Sequence, residues 1–174
     1  MSDKHSQDKA WHGMRYVRHK VAALIPEGVC YVEPFAGHAW VAREVCKGNR
    51  ECILGDIDPK PLEWAKDYHK IEGEFKVQDW RETVKEAEGR GCVFLFDPPH
   101  NRYGGNLNRR KGDFSEKDYF PEIAEFCKKH KCIINLPPDR KEFCDIFNCH
   151  EFTIIQGKKE WKYLIAENLG GWDN

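Results

Sequence analysis

Four strand candidates that each end in a carboxylate constrain this chain more than any other feature. They are "VCYVEP", "ECILGD", "EFKVQD" and "CVFLFD", and the acids are Glu33, Asp56, Asp79 and Asp97. Between them lie segments with helical spacing: "HAWVAREVCKG", stopped by Gly48; "PLEWAKDYHKI", with Asp58 as cap and Pro59 at the first position; and the polar "ETVKEAEG". A further helix opens at Ser115 and runs through "IAEFCKKH", with Pro121 as its breaking point. "CIINLP" then reads as a strand and "DRKEFCDIF" as a helix. The last two runs, "EFTIIQ" and "KYLIAEN", alternate around "GKKEW" as a β-hairpin. Strands alternating with helices, followed by a hairpin, predict an α/β fold: a mostly parallel, doubly wound sheet with an antiparallel edge. Ligands in such sheets sit beyond the carboxyl ends of the strands, near the point where strand order reverses. One strand-end acid is an ordinary cap or loop residue; four in consecutive strands point to a cofactor site.

The chain has 174 residues, enough for one domain with a full core, and no repeat or linker divides it. Lys and Arg total 28 against 29 Asp and Glu, so bulk charge gives no sign of a nucleic-acid partner and only a local patch could supply one. "MSDKHSQDKA" is polar and unlike a signal peptide, with residues 1–8 read as a tail. No run approaches the ~20 apolar residues of a membrane span. A soluble, cytoplasmic protein is expected. Eight cysteines stand singly in apolar runs, the pattern of buried free thiols in a reducing compartment. The competing reading, a metal held by Cys127, Cys132, Cys144 and Cys149 with His130 or His150, is disfavoured by the wide spacing of each pair, and no metal is expected.

"YVEPFAGHAW" joins a strand to a helix through a tight turn at Gly37, which lets backbone approach a ligand at the helix start. Asp56 is placed to accept ribose hydroxyls, and Asp79 to accept an adenine amino group beside the ring of Trp80. In their order, "YVEPFAG", "GDIDP", "QDWRE" and "FDPPH" resemble the S-adenosylmethionine-dependent DNA adenine-N6 methyltransferases of bacteria and phages. "AWHGMRY" is similar to that family's N-terminal segment and "KYLIAEN" to its closing strand, so the resemblance runs from about Lys9 to Asn168. It implies a Rossmann-like class I methyltransferase with S-adenosylmethionine as cofactor. By position, Trp11, Gly13 and Arg15 would lie against the cofactor. Glu33, Phe35, Ala36 and Gly37 would form its methionine-side loop. Asp56 would hold its ribose and Asp79 its adenine, with Ile57 and Trp80 also among the contacts. Asp97 and Pro98, with Pro99 and His100, would hold the target base.

The last assignment has a physical reason of its own. An exocyclic amino nitrogen is a poor nucleophile because its lone pair is delocalised into the ring. Acceptors at Asp97 and at the carbonyl of Pro98 would each take one N–H bond and aim the lone pair at an electrophilic methyl group, and prolines stiffen that corner. In a duplex the base must first be flipped out and stacked. Three positions depart from the family. His100 stands where an aromatic stacker is usual, with Tyr103 as a substitute. Ala39 replaces a second loop glycine, adding one methyl group. Only about twenty residues separate Asp56 from Asp79, leaving no room for a target-recognition domain. The mobile basic loop at 100–114, with Arg102, Tyr103, Arg109, Arg110 and Lys111, is the remaining candidate for phosphate contacts, with Arg15, Arg18 and Lys20 extending it if their helix faces the same way. DNA is the expected partner ahead of RNA, with a separate specificity protein as a further partner. The competing readings are an RNA adenine or guanine amino methyltransferase, a weakly catalytic subunit of a larger methylase, and a small-molecule methyltransferase.

Overall fold

Strands apolar at every position need cover on both faces. The computed structural model, which describes residues 14–98 and 119–170, meets that need with a seven-stranded sheet between two helical layers. Its strands are β1 (Tyr31–Glu33), β2 (Cys52–Asp56), β3 (Glu74–Val77), β4 (Val93–Phe96), β5 (Cys132–Leu136), β6 (Asn148–Gln156) and β7 (Lys159–Asn168). Its helices are α1 (Arg18–Ala22), α2 (Trp40–Val45), α3 (Pro59–His69), α4 (Trp80–Ala87) and α5 (Phe120–Cys127). β1, β2, β4 and β5 are buried at every residue. Side-chain alternation sends Tyr31, Leu54, Leu95 and Ile133 to the face covered by Val17, Val41 and Leu62 of the α1–α3 side. Val32, Ile53, Phe96 and Ile134 meet Val84, Ile123 and Ala124 from α4 and α5 on the other face.

The strand order is β3-β2-β1-β4-β5-β7-β6, with the first five parallel and β7 antiparallel to both neighbours. The chain reverses its direction of travel between β1 and β4, and their carboxyl ends form the switch point. Asp58 caps α3 by accepting the Lys60 N–H, with Pro59 in the first turn, as the sequence predicts. Gly55 in β2 lets α4 settle close: a Cβ there would lie 2.5 Å from Thr83 Oγ1.

Several expectations change. The hairpin does not extend the sheet in chain order, because β7 inserts between β5 and β6. Its Leu164, Ile165 and Ala166 are buried, whereas every residue of β6 is at least partly exposed, so the more apolar strand takes the inner position. "DRKEFCDIF" forms a 3-10 turn over Lys141–Asp145 instead of an α-helix. Pro121 does not break α5; it stands in its first turn, where its missing N–H costs nothing. Ser115 lies outside the described residues.

The free-thiol expectation fails for six cysteines, which form the pairs Cys30–Cys92, Cys46–Cys52 and Cys144–Cys149. Parallel strand pairing brings Cys30 and Cys92, 62 residues apart, to a Cα separation of 4.3 Å. Spacing along the chain carries no trace of that. Cys144 and Cys149 bond to each other, and no group of three or more potential metal ligands occurs among the described residues. No helix among the described residues is long and apolar enough to cross a membrane.

Candidate active site

The site is built at the carboxyl ends of β1, β2 and β4. Glu33 ends β1 and is 2% exposed. Its Oε2 accepts the Tyr31 hydroxyl at 2.9 Å. Burial raises its pKa from 4.5 to about 8, and the nearby Asp97 and Asp56 carboxyls add to the rise, while the Tyr31 bond and a backbone bond from Ala42 oppose it. Glu33 is therefore mostly protonated near pH 7.

The turn after Glu33 is held from both sides. Ala36 N–H donates to the Gly55 carbonyl at 2.8 Å, and Gly37 N–H donates to Asp56 Oδ2 at 2.9 Å. Asp56 Oδ1 accepts the Asp58 N–H at 3.0 Å, so this buried carboxylate braces the β1 and β2 turns against each other. Gly37 has φ of 50° and Ala39 of 52°, both left-handed. Alanine in place of glycine at position 39 is thus felt as backbone strain, not merely as an extra methyl group. Next to it, His69 Nε2 lies 3.0 Å from the His38 carbonyl. Burial lowers the His69 pKa to about 4, which keeps the ring neutral and its N–H available to that carbonyl.

Phe35 packs against Trp80 at 5.7 Å and against Tyr119 at 6.4 Å, and Trp80 meets Phe96 edge-on at 6.0 Å. Ile57 is half-buried against the same cluster. Asp79 caps α4, its Oδ1 accepting the Arg81 N–H at 2.9 Å and pairing with the Arg81 guanidinium at 3.4 Å. Arg81 also grips both oxygens of Glu122 and lies over the rings of Trp80 and Tyr119, tying α4 to α5.

Asp97 follows β4 directly, and its Oδ1 accepts Asn135 Nδ2 at 2.9 Å. Phe96 pairs with Ile134 in the sheet, so the next residues along, Asp97 and Asn135, face each other across the strand ends. Asn135 is 6% exposed and was missed in the sequence reading. The signal was there: one amide in the apolar run "CIINLPP", just before a second Pro-Pro corner. Tyr119 was missed as well.

Glu33, Phe35, Ala36, Gly37, Asp56, Ile57, Asp79, Trp80, Asp97 and Pro98 thus belong to the strand-end turns and helix starts of one edge. Arg15 comes close to the head of α2, its guanidinium 4.8 Å from the Trp40 ring, where Arg18 and Arg43 also converge. Lys20 turns instead toward Phe152 of β6. Trp11, Gly13, Pro99, His100, Arg102, Tyr103, Arg109, Arg110 and Lys111 lie outside the described residues. An open cleft of about 1000 Å³ exists at the opposite edge, lined by Cys30, Arg50, Glu51, Arg90 and Gly91. None of the strand-end acids lines it.

No protein-family model matches the sequence, and a search of curated proteins found no match. Solved structures are similar in fold. A tRNA (uracil-54, C5)-methyltransferase of Pyrococcus abyssi, in complex with S-adenosyl-L-homocysteine, superposes with a TM-score of 0.59 at 15% identity, covering 87% of this chain and 36% of that one. The chain therefore spans about a third of that protein. An rRNA methylase of Streptococcus thermophilus gives 0.57 at 11% identity, over 91% of this chain and 97% of that one. The spermidine synthase of Thermotoga maritima gives 0.58 at 14% identity, over 92% and 60%. Together with the strand order, these matches define the class: a Rossmann-like fold of the class I methyltransferase type, as the sequence predicted.

Proposed function

We propose that this protein is an S-adenosylmethionine-dependent methyltransferase acting on the exocyclic amino group of a nucleobase. The observation that carries the reading is Asp97, standing at the switch point with its carboxylate oriented by Asn135 and close enough to Glu33 to raise its pKa.

The residues present fit the cofactor. Asp56 and Asp97 both raise the Glu33 pKa, so the carboxyls around Glu33 repel one another and suit a cationic ligand beside them. Trp80 Nε1 is buried and has no hydrogen-bond partner among the described residues, a donor that an acceptor on a ligand ring would satisfy. Glu33, Phe35, Ala36 and Gly37 would hold the methionine side, Asp56 the ribose, and Ile57, Asp79 and Trp80 the adenine, with Arg15 at the margin. The cofactor supplies an electrophilic methyl group on a sulfonium sulfur.

Asp97 and the Pro98 carbonyl then accept the two N–H bonds of the target amine and fix the direction of its lone pair. The nitrogen must lose one proton as it gains the methyl group, and the Asp97 carboxylate is the base beside it. Asn135 holds that carboxylate in place, so catalysis rests on positioning and electrostatics.

The resemblance in sequence favours adenine N6 in DNA. Its weakest support is the segment from Asp56 to Asp79, which is taken up by α3 and β3 and carries no recognition insert. RNA is the second reading, favoured by the tRNA and rRNA methylases among the similar structures. Incubating the protein with labelled cofactor and duplex DNA, single-stranded DNA or structured RNA, followed by mass analysis of the nucleosides, separates the two. A methylated amino group is expected on one substrate, and the Asp97→Ala variant should lose roughly 10²–10³-fold or more in turnover while still binding cofactor. Unchanged turnover in that variant would refute the role given to Asp97.

A further inference from the structure

Six of the eight cysteines fall at the amino ends of the parallel strands, the edge opposite the strand-end acids, while Cys149, bonded to Cys144, lies level with Ile134 in the middle of β5. Cys30 precedes β1 and Cys92 precedes β4; Cys46 follows α2 and Cys52 opens β2. Cys127 ends α5 and Cys132 opens β5; Cys144 lies in the 3-10 turn and Cys149 is the second residue of β6. β6 lies antiparallel to β7, which is antiparallel to β5, so all these strand starts point the same way.

Read across the sheet, the cysteines form four neighbouring couples, and three are bonded. The fourth couple, Cys127 and Cys132, consists of buried thiols in the same core cluster. Asn168 brackets it: its Cα pairs with Cys132 in the sheet, while its Nδ2 donates to the Cys127 carbonyl at 2.7 Å. Their separation of five residues (132 − 127) equals that of the bonded Cys144–Cys149. The two thiols are hydrogen-bonded, and burial together with that contact pushes the Cys127 thiol pKa well up.

We propose that Cys127 and Cys132 form a fourth disulfide, so that the oxidised protein has no free thiol. Because both side chains are sealed in the core, the bond forms while the chain is folding, before oxidants are excluded. With a small-molecule disulfide such as oxidised glutathione, one cysteine thiolate attacks a glutathione sulfur and expels one glutathione thiolate, leaving a mixed disulfide. The second cysteine thiolate attacks the mixed disulfide at its protein sulfur and expels the other. Two protons leave the cysteines and two electrons pass to glutathione. A metal is the alternative use of such a couple, but no third ligand accompanies it among the described residues. The inference does not depend on what the acid edge binds.

The test is to reduce and unfold the full chain, refold it in a buffer of oxidised and reduced glutathione, unfold it again in excess N-ethylmaleimide, and map tryptic peptides without reductant. Lys128, Lys129 and Lys131 lie between the two cysteines, so trypsin parts them unless a disulfide joins the fragments. The expected result is a linked peptide pair containing Cys127 and Cys132, with no maleimide on any cysteine. Maleimide on Cys127 and Cys132, whether alone or with the other six, overturns the proposal, as does a bond from either to a different cysteine.

Discussion

At the carboxyl edge of the sheet stand Glu33, Asp56, Asp97 and Asn135; at the amino edge stand six of the eight cysteines. The first edge is organised by hydrogen bonds and by carboxyls that raise the pKa of Glu33, an arrangement that gains when a cation arrives. The second is joined by covalent bonds that no ligand can rearrange. The contrast sets a cross-linked edge against the edge proposed to carry the chemistry, and it can be broken at either.

The largest effect should come from reduction. Disulfides contribute typically about 2–4 kcal/mol each, and a protein of this size shifts by about 2–4 °C per kcal/mol, so an excess of reductant should lower Tm by roughly 10 °C or more. Cys30–Cys92, which closes the longest loop, should account for the largest share. Calorimetric titration with S-adenosylmethionine at room temperature should give nearly the same Kd before and after. A Kd that weakens in step with reduction would show that the two edges are not separable.

Next in size is the proton on Glu33. Unfolded, this carboxyl ionises near 4.5; folded, it holds its proton up to about 8. The stability it contributes is therefore complete below about pH 4.5 and is lost as pH rises toward 8, at up to about 1.4 kcal/mol per pH unit. Glu33→Gln should remove that slope and make the protein more stable than the parent at about pH 8–9. Overlapping thermal-melt profiles of the two proteins from pH 5 to 9 would contradict this. The same proton predicts that S-adenosylmethionine binds more tightly as pH rises toward 8, since a cationic ligand favours the ionised form.

The smallest effect tests Asn135 as a positioning residue. Asn135→Ala should lower kcat about tenfold, the scale of one hydrogen bond to a charged group, with cofactor Kd unchanged. A loss confined to Kd or KM would place Asn135 in binding instead.

The sequence revealed what depends on local pattern. The apolar runs, the Asp58–Pro59 helix start and the alternating final strands are all where their residues predicted them. What depended on contacts between distant segments was hidden. Asn135 meets Asp97 across 38 positions, and Cys30 meets Cys92 across 62. The slot taken by β7 was settled by a competition in burial between two strands, which neither strand shows by itself. Asp79 illustrates a shared signal: an acid before a helix reads equally well as cap or as ligand contact, and its carboxylate already caps α4.

Gly55 has a consequence for how this scaffold can vary. The absence of a single carbon lets the Thr83 side chain of α4 sit directly against β2, one residue before Asp56. An alanine there would act as a spacer, lifting the whole helix start and widening the proposed adenine slot without altering any residue that lines it. Selection for bulkier cofactor analogues therefore has a handle buried beneath the site as well as on its walls.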